Sequence, residues 1–112
     1  MATIEIRTFV MGNDVVFLVA GGTAHIGAMA TAWISSEAPF VQSYSLALPG
    51  HREGELAVEL AELASRTLNR TVAVLAGIHL ERPSKQAIEA IVEKARNGMR
   101  ETLEQWNIEA RE

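Results

Sequence analysis

Cysteine is absent from the 112-residue sequence, which removes a disulfide framework, a thiol nucleophile and thiolate metal sites together. That absence suits a reducing compartment, and a cytoplasmic location is expected. Long apolar runs are also missing. The longest, Val15 to Ala20, falls far short of the roughly 20 residues that a membrane-spanning helix needs, so no membrane partner is expected. Met1 to Arg7 holds no basic segment followed by an apolar one, and neither a signal peptide nor a transit peptide is expected from it. Basic residues are scattered among acidic ones, with a net charge of -4. Nucleic acid is therefore a poor partner, because its affinity for proteins comes from clustered Lys and Arg. Repeats and low-complexity tracts are lacking. What is present, 48% apolar and 21% charged residues, is ordinary globular usage, and the length predicts a single domain, 1–112, around one core.

Local patterns supply the elements. Thr3 to Met11 alternates, with Ile4, Ile6, Thr8 and Val10 on one side and Glu5, Arg7, Phe9 and Met11 on the other, as in a strand with one buried face. Gly12, Asn13 and Asp14 predict a hairpin turn. Val15 to Ala20 is a continuous β-branched and aromatic run, expected as a central strand covered on both sides, and Gly21 and Gly22 end it. Ile26 to Ile34 fits either a helix or a strand and is read as a third strand, whose small residues Gly27, Ala28, Ala30 and Ala32 leave room for close packing. Val41 to Leu48 predicts a fourth, stopped by Pro49 and Gly50.

The period then changes. Leu56, Leu60 and Leu63, with Ala57, Ala61 and Ala64, recur at helical spacing up to Asn69, which tolerates the left-handed cap position. Thr71 to Ile78 predicts a fifth strand. Ser84 is the expected N-cap of a last helix, with Ile88, Ile91, Val92, Ala95, Met99, Leu103 and Trp106 as its buried stripe and a frayed end from Glu109 to Glu112. The order ββββαβα predicts an α+β two-layer sandwich, a mostly antiparallel five-stranded sheet with two helices on one face. Phe9, Met29, Trp33 and Tyr44 are then left for the other face, where a self-complementary homodimer would bury them. The alternative is a face wetted by Thr31, Ser43 and Ser45.

Each of the three histidines lies at an expected strand end beside glycine: Gly21-Gly22-Thr23-Ala24-His25, Pro49-Gly50-His51 and Gly77-Ile78-His79. Glycines of this kind let a loop approach a ligand closely, so a shared site is expected. Gly21, Gly22 and Thr23 suit an anion-binding nest of backbone N–H groups. Gly50, His51 and Arg52 lead into the first helix, whose N-terminus attracts phosphate and where Arg52 offers a charge-assisted contact. A small phosphorylated ligand fits both features. Walker and GxGxxG motifs are missing, and so is a Gly-x-Ser-x-Gly elbow. Glu5, Glu37 and Glu81 are available acids without a partner in the pattern. His25, His51 and His79 also suit a divalent metal if their loops converge, which leaves a metal-dependent enzyme as one alternative. A protein assembly chaperone without a small ligand is another.

Together the segments Gly21-Gly22-Thr23-Ala24-His25-Ile26-Gly27-Ala28, Pro49-Gly50-His51-Arg52-Glu53 and Ala76-Gly77-Ile78-His79-Leu80-Glu81 resemble the LpdD-like family of prenylated-flavin chaperones, which are associated with UbiD-type decarboxylases such as gallate decarboxylase. The resemblance runs from the first strand into the final helix. It implies a non-enzymatic carrier that binds prenylated flavin mononucleotide, or FMN itself, and passes it to the decarboxylase. It further implies that Gly21, Gly22, Thr23, His25, Gly50, His51, Arg52 and His79 surround the cofactor. Two positions depart from the family pattern: Ala24 stands where proline is common, and Arg52 where lysine is common. The second exchange preserves charge but not geometry.

Overall fold

The computed structural model describes residues 3–38, 40–49 and 53–110. It contains strands β1 (Ile4–Met11), β2 (Asp14–Gly22), β3 (Ala28–Ile34), β4 (Val41–Ala47) and β5 (Val72–His79), with helices α1 (Gly54–Leu68) between β4 and β5 and α2 (Lys85–Ala110) after β5. This is the expected ββββαβα order. The five strands form one mixed sheet in the order β1-β2-β5-β3-β4. Three of its neighbouring pairs are antiparallel, and β2 with β5 is parallel.

The β1–β2 hairpin turns at Gly12, whose φ of 61° lies where a β-carbon is disfavoured. β2 continues two residues past its expected end, because Gly21 and Gly22 stay in register with Ile78 and His79 of β5. β3 begins at Ala28, two residues later than its sequence pattern suggests, since the preceding segment leaves the sheet to cross Gly77.

Both helices lie on one side. Val15, Phe17 and Val19 of β2, Ala28, Ala30 and Ala32 of β3, and Val72, Val74 and Ala76 of β5 are buried beneath them. The alanines of β3 allow the close approach of α1, which brings Ala57, Leu60, Ala61 and Ala64 into the core. α2 adds Ile91, Ala95, Met99 and Leu103, while Ile88, expected in its buried stripe, is exposed. The Ser84 hydroxyl accepts the Ala87 N–H at 3.0 Å and caps the helix start. On the solvent side Arg96 of α2 donates to both carboxylate oxygens of Glu59 on α1, at 2.6 and 2.9 Å, and this pairing holds the guanidinium pKa above its ordinary value.

Two expectations about the second face need correction. Val15 to Ala20 is central in the sheet, yet only its odd-numbered residues are buried; Val16, Leu18 and Ala20 are half-buried, and among the described residues no element covers them. Ser43 and Ser45 do not wet that face either. Pairing aligns Ser43 with the buried Ala32, and Ser45 with the buried Ala30, which puts both on the helix side. There the Ser43 hydroxyl donates to Glu62 of α1 at 2.6 Å.

Candidate functional site

Strand directions decide where the histidines go. β2 and β5 run parallel and end side by side, with Gly22 opposite His79. β3 is antiparallel to β5 and so starts at that same end, with Ala28 opposite Ala76. β4 is antiparallel to β3 and finishes there, with Ala47 opposite Ala28. The segments after β2 and β5, Leu48 beyond the end of β4 and the first turn of α1 therefore gather at one edge of the sandwich.

At this edge the rings of His25 and His79 lie with centroids 5.8 Å apart and planes inclined by 60°. Backbone bonds lock the segments. Thr23 N–H donates to the His79 carbonyl at 3.3 Å, Gly27 N–H to the Ala76 carbonyl at 2.9 Å, and Leu48 N–H to the Gly27 carbonyl at 2.8 Å. The Thr23 amide is thus engaged within the protein and does not extend a donor nest.

Glycines make the approach possible. At Gly77 a β-carbon would overlap the His25 carbonyl and stand 3.1 Å from His25 Nδ1. At Gly22 one would overlap the His79 carbonyl, and φ is 65° there. Substitution at either position would push a histidine segment away.

Gly27 shows a further participant. The space its β-carbon would take is filled by the Glu53 carboxylate, and His25 Cε1 lies 3.3 Å from the same point. Both ring nitrogens of His25 and Oε2 of Glu53 are buried. Glu53 is the N-cap residue of α1 but makes no side-chain capping bond; its carboxylate reaches across to Gly27 instead. Sequence reasoning missed it. The available signal was its position, since a cap normally carries the short side chain of Ser, Thr, Asp or Asn, and a glutamate there has reach to spare. On the outer side Glu81 Oε1 lies 3.5 Å from His79 Nε2. That carboxylate is almost fully exposed.

Of the residues expected at the site, Gly21, Gly22, Thr23, His25 and His79 come to this edge. Gly50, His51 and Arg52 lie outside the described residues. The divalent-metal set included His51; among the described residues no three His, Asp or Glu side chains form a group able to hold a metal ion.

The donor set that can be described consists of two imidazoles and two carboxylates. Imidazoles donate to or accept from ring heteroatoms, and a buried carboxylate accepts from a ring N–H. A phosphate finds less support at α1 than the sequence suggested. Glu53 and Glu55 already place negative charge at that helix N-terminus, where an anion would otherwise be favoured.

Among the described residues, no helix is long and apolar enough to cross a membrane. No curated protein matches the chain. The sequence model of the prenylated flavin chaperone LpdD-like domain matches residues 1–107.

Proposed function

The chain belongs to the LpdD-like family of prenylated-flavin chaperones, and from that premise we propose that it is a non-enzymatic carrier: it binds prenylated FMN at the histidine edge and delivers it to a UbiD-type decarboxylase. The observation that supports this reading is the convergence of His25 and His79, 5.8 Å apart, on backbone made close by Gly22 and Gly77.

His25, His79 and Glu53 address the polar edge of the flavin ring, whose carbonyls accept hydrogen bonds and whose imide N–H donates one. The phosphate turns away from Glu53 and Glu55 toward Arg52 and the Thr23 hydroxyl, because two carboxylates beside a dianion would repel it. His51 completes the ring contacts. A carrier must release its cargo, and the half-exposed His79 side chain gives one side of the ligand an open route to a recipient enzyme. The protein works in the cytoplasm as a single-domain homodimer.

Adding reduced prenylated FMN to the purified protein tests the proposal. A ligand that binds only the folded state at one hundred times its Kd stabilises it by about 2.7 kcal/mol, so the melting temperature rises and the flavin absorbance changes. His25→Ala reduces that rise while leaving the ligand-free melt within a few degrees. An unchanged melt and spectrum at saturating cofactor would rule the carrier reading out.

A further inference from the structure

The sheet ends at β1, which pairs with β2 on one side and, among the described residues, with no element on the other. In an antiparallel ladder alternate residues turn N–H and C=O away from the partner strand, so half of its eight residues present unpaired backbone groups outward. Edge strands usually defend such groups with proline, a bulge or unbalanced charge. β1 has none of these. It pairs in unbroken register from Ile4 to Met11, and its charged residues, Glu5 and Arg7, neutralise each other at 2.9 Å.

Helix α2 gives this edge a second wall. The bonds of Arg96 to Glu59 mark the flank of α2 that faces α1. At about 100° per residue, Lys94, Asn97, Glu101 and Gln105 fall on the opposite flank and overhang β1. They bound one hollow of about 440 Å³ against Ile4 and Ile6 and another of about 610 Å³ against Thr8 and Val10. Glu101 and Thr102 belong to both, so the two form a single groove along the strand. Gly98 lets the helix stay close, since a β-carbon there would stand 3.1 Å from Ile6 Cδ1. Val10 shares the helix side with Ile4 and Ile6 yet is 62% exposed, and Trp106 lines the same hollow.

We infer that this groove takes an extended peptide segment of another protein, added to the sheet beside β1. The backbone sets the occupant's conformation, because only an extended chain matches a ladder that rises about 3.3 Å per residue. The lining sets its side chains. Every second residue of an added strand points to the helix side, and there the Val10 and Trp106 end takes a bulky apolar one. Two strand residues span about 6.6 Å, and the four helix positions from Glu101 to Gln105 span about 6 Å. A Lys or Arg two positions from the apolar residue therefore meets the exposed Glu101 carboxylate, and the chain's net charge of -4 favours the same sign. Ile4 lies opposite Gly21, so the other end of the groove meets the loop that leaves β2. A protein held along β1 thus stands beside the histidine edge.

This inference stands apart from flavin binding, and its test needs no flavin. The probe is the capped peptide Thr-Lys-Thr-Leu-Thr-Lys-Thr, whose symmetric spacing serves either strand direction. At millimolar concentration or below it should slow amide exchange, read by nuclear magnetic resonance, at alternate residues of β1 and leave β4, the other edge, unchanged. Glu101→Lys, an exposed helical change, should weaken the peptide about three- to tenfold. The same peptide with Glu in place of both Lys should regain that loss on the variant. No binding at millimolar peptide, protection of β4 instead of β1, or a charge-swapped peptide that gains nothing on Glu101→Lys overturns the inference. Alternate β1 amides already protected without peptide would place a second copy on this edge, and that result overturns it as well.

Discussion

A missing β-carbon is what lets His25 reach its place, and the atom it would strike differs from glycine to glycine. At Gly77 the obstacle is the His25 carbonyl, a backbone atom fixed between two hydrogen-bonded segments. At Gly27 it is the end of the Glu53 side chain, which can swing aside. Gly77→Ala should therefore cost about 1–3 kcal/mol, the usual range for forcing atoms into a filled space, and lower the melting temperature by roughly 4–8 °C per kcal/mol. Gly27→Ala should melt close to wild type but lose much of the flavin-induced rise, because it displaces the carboxylate from the ring edge. Thermal melts with and without cofactor separate the two, and a Gly27→Ala protein that responds to flavin like wild type would remove Glu53 from the site. The meeting of His25 and His79 was legible because each stands two positions from a glycine in the chain. Glu53 was not, because its partners Gly27 and His25 are more than 25 positions away and come to it only through the pairing of β3 with β4.

Helix α1 ends in a small network that ties it to the far edge of the sheet. Asn69 adopts the left-handed conformation, with φ 56° and ψ 49°, and its N–H donates to the Ser65 carbonyl at 2.8 Å. Ser65 is fully buried, and its hydroxyl donates to the Arg70 carbonyl at 2.7 Å. Arg70 in turn donates to the Asn13 carbonyl in the β1–β2 turn at 2.9 Å. Ser65→Ala should lose about 1 kcal/mol by taking its hydrogen-bond donor from the half-buried Arg70 carbonyl. Asn69→Ala should lose about 1–2 kcal/mol from the left-handed backbone, whereas Asn69→Gly should lose less, since glycine occupies that region readily. Urea unfolding ranks the three, and Asn69→Ala as stable as Asn69→Gly would contradict the capping account. The cap was legible, as asparagine ends a helical period there. The cover on β2 was not: Val15 to Ala20 reads alike whether helices pack on both faces or on one. Nor does any local pattern announce that β2 and β5, some fifty residues apart, lie parallel.

For the molecule as a whole, chain reversals at one edge make the candidate site while the opposite edge carries the Gly12 turn and the C-terminus of α1. A ligand bound at the histidine edge restrains the segments that leave β2 and β5 and stabilises the rest only through global unfolding. Native-state hydrogen exchange separates local opening from global unfolding. Saturating prenylated FMN should slow exchange most in residues 22–27 and 79–84, with the turn at residues 12–14 little changed. Each chain carries one histidine edge, so the binding curve should also be hyperbolic. Protection concentrated at residues 12–14 would move the site to the wrong edge. A sigmoidal curve would mean that sites on separate chains are coupled, which a ligand touching only its own edge does not bring about.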